Sequence, residues 1–446
     1  MTAPAPKKTF TLRETAMALG SPPVAKMFAL GFGSGLPFLL TGATFGYWLR
    51  DEGTTLTAIG FLSWVGLAYT FKFLWAPIID RAPAPFAGGL GRRRSWVVLA
   101  QGAIAAALVA MAAVGPNGPG GLATIGALAL VVAFASATQD IAVDAWRIEA
   151  ASDPDELGLF TSAFTLGYRV ALLVTDALIL VFAQHLGWPM SYVLMAAMMG
   201  IGLFAAMKTP EPAGSMSATG EGGPMTIGKA ADAVFGPLVE FFRHHGPWAL
   251  LMLTMISLYR LPEFVIGPVA GPFYHDLGLN KDVVGGVRAS VGLVAAFSGI
   301  ALGGLASLRL GYVRALLLGG ILQGLGVASY AVVAHYGATD LRLFAAAMAS
   351  DNFAYAFAGV ALVTYMSSLT SVGYTATQYA LLSSVYTLFG KFLKGFSGVV
   401  VDGLNHGRTL MEAYAIFYVG AGLIALPALV LCVILARRQA RPSEAP

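Results

Sequence analysis

The chain is poor in charge. Only 11% of its 446 residues are Asp, Glu, Lys or Arg, while 57% are hydrophobic. Soluble domains carry about 25% charged residues, so a soluble globular fold is excluded. With a mean hydropathy of +0.73, the chain reads as a polytopic membrane protein. Cysteine is almost absent: Cys432 stands alone in the apolar run ALVLCVILA, which excludes an internal disulfide and a thiolate metal site. All six histidines (His185, His244, His245, His275, His335, His406) fall in predicted loops or at their edges, so proton handling inside the bundle falls to carboxylates. There is no metal-ligand cluster, nucleophile elbow or phosphate loop. The sequence therefore points to no enzyme and no cofactor. Gly31, Gly33 and Gly35, ahead of Pro37, follow no strand and precede no lysine, so they read as helix-packing glycines and not as a nucleotide loop. The net charge of +4 gives no reason to expect nucleic acid. No signal-peptide core precedes Lys26, and the first true span is expected to enter the membrane.

What the sequence has is apolar stretches of spanning length. At about 20 residues per crossing, spans are predicted at 25-49, 56-80, 95-114, 122-147, 157-183, 189-207, 246-270, 283-307, 314-334, 341-369, 375-402 and 413-436. The seventh holds the proline-rich PEFVIGPVAGP and is expected to kink. The expected fold is an all-α membrane protein of twelve transmembrane helices in two pseudo-symmetric six-helix halves. Residues 1-24 form an N-terminal tail, 25-207 one half, 208-245 a Gly/Ser/Pro-rich linker, 246-436 the second half and 437-446 a C-terminal tail. About 17 Lys and Arg lie in the tails and even-numbered loops or at their edges, against about four (Arg50, Lys281, Arg342, Arg408) in odd-numbered loops. The positive-inside rule then puts both termini and the linker in the cytoplasm. Thr165 and Thr387, each followed four residues later by a cation (Arg169, Lys391) in spans five and eleven, agree with an internal repeat.

Ionisable groups at membrane depth are costly and mark pathways, relays or partner pairs. The cations are Lys72, Arg169, Arg260, Arg288, Lys391 and Lys394, and the acids Asp140, Asp144, Asp176, Glu263, Asp351 and Asp402. In span four, Asp140, Asp144 and Arg147 fall at i, i+4 and i+7 on one face. Two carboxylates on one stripe repel each other, which suits a group that loads and releases a proton, unless Asp144 simply pairs with Arg147. Arg169 and Asp176 share a face of span five, and Arg260 and Glu263 lie at i, i+3 in span seven. Both read as charge pairs or gating elements. Lys391 and Lys394 are like charges one turn apart and need an anion: a cargo carboxylate, or Asp351 and Asp402 from neighbouring spans. Trp48, Trp75, Trp96, Trp146, Trp188 and Trp248 lie near predicted span ends and read as an interfacial belt. Trp64 lies mid-span, and either packs within the bundle or stacks on a sugar ring.

Residues 75–96 read WAPIIDRAPAPFAGGLGRRRSW. This resembles the loop signature of major facilitator transporters, with Asp80, Arg81, Gly91 and Arg92, Arg93 and Arg94 in its places. A degenerate copy, GGLASLRLGYVR, falls at 303–314. The segments LPFLLTGATFGYWLRDEG, TAIGFLSWVGLAYTFKFLWAPIIDR, LGRRRSW and ATQDIAVDAWRIE, in this order within residues 35–170, resemble the AmpG muropeptide permeases. The resemblance implies a monomeric, proton-coupled inner-membrane importer. Its cargo would be N-acetylglucosaminyl-anhydro-N-acetylmuramic acid, with or without peptide, taken up for peptidoglycan recycling and feeding the signal that induces beta-lactamase. On that reading Asp140 or Asp144 carries the proton, and Lys72, Gln139, Arg169, Lys391, Lys394 and Trp64 meet an anionic muropeptide. A transporter of another sugar-linked or acyl anion, and a transport-inactive muropeptide sensor, are the alternatives.

Overall fold

The structure, a computed structural model, describes residues 21–85, 88–117, 120–211, 239, 241–337, 340–369 and 386–439. Among these the regular elements are all helices. Ten stretches are long and apolar enough to cross a membrane. One of them, Glu156–Lys208, is 53 residues long and breaks at Gly187, whose φ of +78° interrupts the helix, so it counts as two spans. The helical segment 386–404 adds another, which accords with twelve. Large apolar side chains such as Leu74, Val294, Leu308 and Leu325 stand exposed on the outside, where lipid and not water meets them.

The halves are built alike. Span 3 (Arg92–Val114) packs on span 4 (Gly121–Ala150) and on span 6 (188–208). In the second half, span 9 (Tyr312–Tyr336) packs on span 10 (Leu341–Ser368) and on span 12 (Leu410–Leu423 and Ala425–Gln439) in the same way. Most of the linker lies outside the described residues. Close helix approach is set by glycine: Gly31 and Gly35 of span 1 lie against the Phe164 and Tyr168 carbonyls of span 5, and Gly33 meets Gly202 of span 6. A side chain at these positions would push the helices apart, as the sequence reading expected of these three glycines.

Several spans are not continuous α-helix. Span 1 breaks between Pro22–Leu40 and Ala43–Asp51. Span 2 (56–81) is assembled from three short α-helical pieces and two 3₁₀ turns, Ser63–Leu67 and Lys72–Leu74. Span 5 (154–186) holds a π-turn at Val174–Leu178, and span 8 (281–310) holds another at Arg288–Gly292. Span 7 changes direction at Arg260, between Trp248–Tyr259 and Leu261–Asp276. Its Pro262 occupies the first turn of the second piece, where a missing N–H costs nothing. Such interruptions free backbone carbonyls and concentrate at functional sites.

The tryptophan belt needs correction. Trp48, Trp146 and Trp188 are at most 3% exposed. Trp48 stacks on Trp188 and packs on Tyr192, and the Trp146 indole N–H donates to the Pro210 carbonyl. They seal the bundle from within, because their neighbours supply apolar surface and an acceptor that lipid lacks.

Candidate functional site

The two halves pack together at the end that carries the 51–56, 276–281 and 404–410 loops. There span 1 meets span 7, span 2 meets span 11 (386–404), and span 5 meets span 8. Each contact is seated on a glycine. A Cβ on Gly271 would come within 3.1 Å of the Ala43 carbonyl, one on Gly285 within 2.7 Å of the Ala177 carbonyl, and one on Gly398 would overlap the Leu56 carbonyl. No comparably close packing joins the halves at the opposite, terminal end among the described residues.

Polar groups close the same end. Arg50 pairs with Asp276 at 2.8 Å. Asp51 meets Lys281 at 2.7 Å and His275 at 3.2 Å, and it accepts the Trp188 indole N–H at 2.6 Å. These donors hold the Asp51 carboxyl well below the usual carboxylate range, outweighing burial, which acts the other way. Asp276 also accepts from the Tyr414 hydroxyl at 2.6 Å. Asp402 of span 11 accepts from both the backbone N–H and the hydroxyl of Thr57, at 2.8 and 2.7 Å. It thus caps the first turn of span 2 from across the interface.

Deeper, the two π-turns face each other. Arg288 donates to the Asp176 carboxylate at 2.6 Å and to the Asp176 carbonyl at 3.0 Å. The Thr44 hydroxyl takes the adjacent Thr175 carbonyl at 2.6 Å. Both carbonyls lie in the π-turn, where the ordinary helical ladder is interrupted. Asp176 therefore pairs across the halves with Arg288, and not along its own helix with Arg169, which is exposed. The Arg288 guanidinium also lies 5.3 Å over the Tyr274 ring, and a chain of hydroxyls runs from Tyr274 to Tyr330 (2.9 Å) and on to Asp351 (3.3 Å).

Above this seal lies a cavity of about 320 Å³. Spans 1, 2, 7, 10 and 11 line it, so both halves contribute. Its walls are mainly apolar, among them Phe38, Phe45, Ile59 and Phe264, and its charged lining is Arg260, Glu263, Lys391 and Lys394. The Lys391 ammonium donates to the Gly66 carbonyl at 3.0 Å and lies 5.7 Å from the Tyr69 ring centre. Gly66 belongs to a 3₁₀ turn of span 2. Lys394 approaches the same glycine, 3.3 Å from where its Cβ would stand, and makes no ion pair among the described residues. The two lysines thus approach one wall of the cavity at Gly66.

Arg260 and Glu263 are not an ion pair. The helix break at Arg260 turns its side chain toward span 10, where it donates to the Tyr355 carbonyl at 3.2 Å and lies 4.1 Å over the Tyr355 ring. Glu263 keeps one buried carboxylate oxygen without a hydrogen-bond partner, as does Asp351.

The first-half residues are more dispersed. Asp140 has a buried carboxylate oxygen without a partner, and Lys72 and Asp144 are the charges that act on it. Asp144 pairs with Arg147 at 3.3 Å on a half-exposed face, the simpler of the two sequence readings. Gln139 is fully buried and donates to the Ser34 hydroxyl at 2.9 Å, so it ties span 4 to span 1 away from the cavity. Trp64 stacks face to face on Phe392 and donates to its carbonyl at 2.9 Å, so its ring is covered by span 11. Asp80 and Arg81 end the helix Ala76–Arg81. The basic run after them is tied down, with Arg93 pairing with Glu149 of span 4 at 2.6 Å.

The sequence reading gave Arg288 no partner and overlooked Arg50, Asp51, His275 and Asp276, which it placed in loops. The only available signal was their clustering at the ends of spans 1 and 7. Tyr274 and Tyr330 gave no signal.

Comparison with known proteins agrees with this architecture. The sequence profile of the Major Facilitator Superfamily matches residues 27–391. The chain is 36% identical over 418 residues to the anhydromuropeptide permease of Escherichia coli (strain K12), covering 93% of this chain and 79% of that one. Among solved structures, the nucleoside transporter NupG aligns with a TM-score of 0.65 at 14% identity, over 96% of this chain and all of that one. A D-xylose-proton symporter aligns with a TM-score of 0.64 at 13% identity, over 92% and 97%. At such identities these two share the fold alone. A two-half helical bundle with a charged cavity between its halves, matched by the superfamily profile and by this permease along nearly its whole length, belongs to the Major Facilitator Superfamily and within it to the anhydromuropeptide permease family of membrane transporters, which are not enzymes.

Proposed function

We propose that this protein imports anhydromuropeptides across the bacterial inner membrane for peptidoglycan recycling, driven by the proton gradient. The observation that carries this reading is the 36% identity over 93% of the chain to a permease for this cargo, joined to a shared cavity whose lysines converge on one wall. The cargo is a bulky anhydro-disaccharide with carboxylates. The apolar lining suits the sugar faces, and Lys391 and Lys394 suit a carboxylate. Lys72 and Arg169 lie outside the cavity lining.

The mechanism is alternating access by a monomer. With termini and linker in the cytoplasm, as the distribution of Lys and Arg implies, the seal lies on the periplasmic side and this conformation faces the cytosol. Opening to the periplasm requires the Arg50–Asp276, Asp51–Lys281 and Asp176–Arg288 pairs to part. Asp140, buried with an unpartnered oxygen, carries a proton through the cycle, while Asp144 serves to orient Arg147. A potential of 100 mV is worth about 2.3 kcal/mol per charge moved, so protons that accompany an anion offset its unfavourable entry.

The test is uptake of labelled N-acetylglucosaminyl-anhydro-N-acetylmuramic acid into proteoliposomes, with competition by other sugar-linked and acyl anions. Uptake of a labelled unrelated anion, without uptake of the disaccharide, would replace the cargo. Binding without accumulation would make the protein a sensor.

A further inference from the structure

The charges of the second half do not balance locally. Glu263 and Asp351 each hold a buried carboxylate oxygen without a partner. The one guanidinium that acts on both, Arg260, is committed to the carbonyl and ring of Tyr355. Arg288, the other guanidinium of this half at membrane depth, is taken by Asp176. Two acids against one cation leave one negative charge uncompensated, which at membrane depth is expensive. Lys391 and Lys394 line the same cavity as Glu263. An anionic cargo held by the lysines brings a further negative charge into the cavity that Glu263 lines, and like charge favours a proton on that acid.

We propose that Glu263 is a proton site coupled to cargo: the cavity takes up one proton on Glu263 when an anion binds Lys391 and Lys394. This rests on the anionic-cargo reading above. It differs from a proton carried on Asp140, which is not part of the cavity lining. Coupling of this kind is reciprocal, so the proton tightens the cargo by the same factor as the cargo tightens the proton. The other titratable or charged groups on the surrounding walls are Tyr69 of span 2, Arg260 of span 7, Tyr355 of span 10 and Tyr386, Lys391 and Lys394 of span 11, with Asp351 and Tyr330 behind them. Asp351 already accepts from Tyr330 at 3.3 Å, which leaves Glu263 as the cavity-facing acid.

The experiment is calorimetric titration of the purified full chain with N-acetylglucosaminyl-anhydro-N-acetylmuramic acid, in buffers of different ionisation enthalpy and at pH 6, 7 and 8. The wild type is expected to take up about one proton per disaccharide, its affinity falling up to about tenfold per pH unit over the linked range. E263Q should bind with no proton uptake and a pH-independent affinity, and E263D should restore the uptake. Proton uptake by E263Q equal to that of the wild type would overturn the proposal, as would an equal loss of affinity at every pH. Absence of disaccharide binding by the folded wild type would instead remove the cargo reading and this inference with it, whereas wild-type binding without proton uptake would overturn this inference alone.

Discussion

Replacing Asp176 with asparagine removes one partner of the ion pair that joins the π-turns of spans 5 and 8. Arg288 then faces a neutral amide and the residue 176 backbone carbonyl, with no countercharge, at a depth where its side chain is 12% exposed, while Asp176 itself is 36% exposed. A fully buried pair broken on one side costs roughly 3–5 kcal/mol, and a solvated one about 0–1 kcal/mol. With one partner buried and the other partly open, the sealed conformation should lose about 2 kcal/mol relative to one in which both groups are hydrated. At 1.4 kcal/mol per tenfold, that moves the balance between conformations roughly 30-fold. Spin labels on the 51–56 and 404–409 loops, read by double electron–electron resonance, should show a long-distance population growing in D176N and receding in D176N/R288M, where no charge is stranded. An unchanged distance distribution in D176N would refute the claim that this pair holds the halves together.

Asp140→Asn should abolish gradient-driven accumulation while sparing cargo exchange across the same vesicles. Loss of neither activity would remove Asp140 from the proton path. Lys391→Ala should weaken cargo affinity about tenfold in a competition assay, with turnover of bound cargo little changed. Equal affinity would leave Lys391 as a tie to the Gly66 carbonyl only. Gly398→Leu puts a side chain where the Leu56 carbonyl stands, so spans 2 and 11 should fail to close, and engineered cysteine pairs across this contact should no longer cross-link. The Asp51 carboxyl lies below the usual carboxylate range, so its contribution to the seal is fully present above its ordinary pKa of about 4 and is lost only as the pH falls further. Its pairing with Lys281 should persist when the outside medium is taken from pH 7 to 5, and the same label distances in D51N should lengthen throughout that range.

The fold was legible because a membrane imposes few rules. Span length and apolar composition specify membrane helices without reference to their packing. The packing itself was legible only where a residue has one physical use. Gly31, Gly33 and Gly35 make close contacts because nothing larger fits. Pairs were misread wherever helix periodicity was assumed through an interruption. The break at Arg260 turns its side chain away from Glu263, and the π-turn at Val174–Leu178 redirects Asp176 to another span. Neither interruption carries a signal in the local sequence beyond the nearby Pro262. Trp48, Trp146 and Trp188 show the converse limit: a position near a span end does not tell whether a ring faces lipid or a neighbouring helix.

The central claim is that this cavity carries anhydromuropeptides inward with protons. The direct measurement is accumulation of labelled N-acetylglucosaminyl-anhydro-N-acetylmuramic acid in proteoliposomes of the purified protein, with and without an inward proton gradient. The account predicts accumulation above equilibrium with the gradient and only equilibration without it. Equal accumulation in both would contradict proton coupling, and no uptake by folded, correctly oriented protein would contradict the cargo.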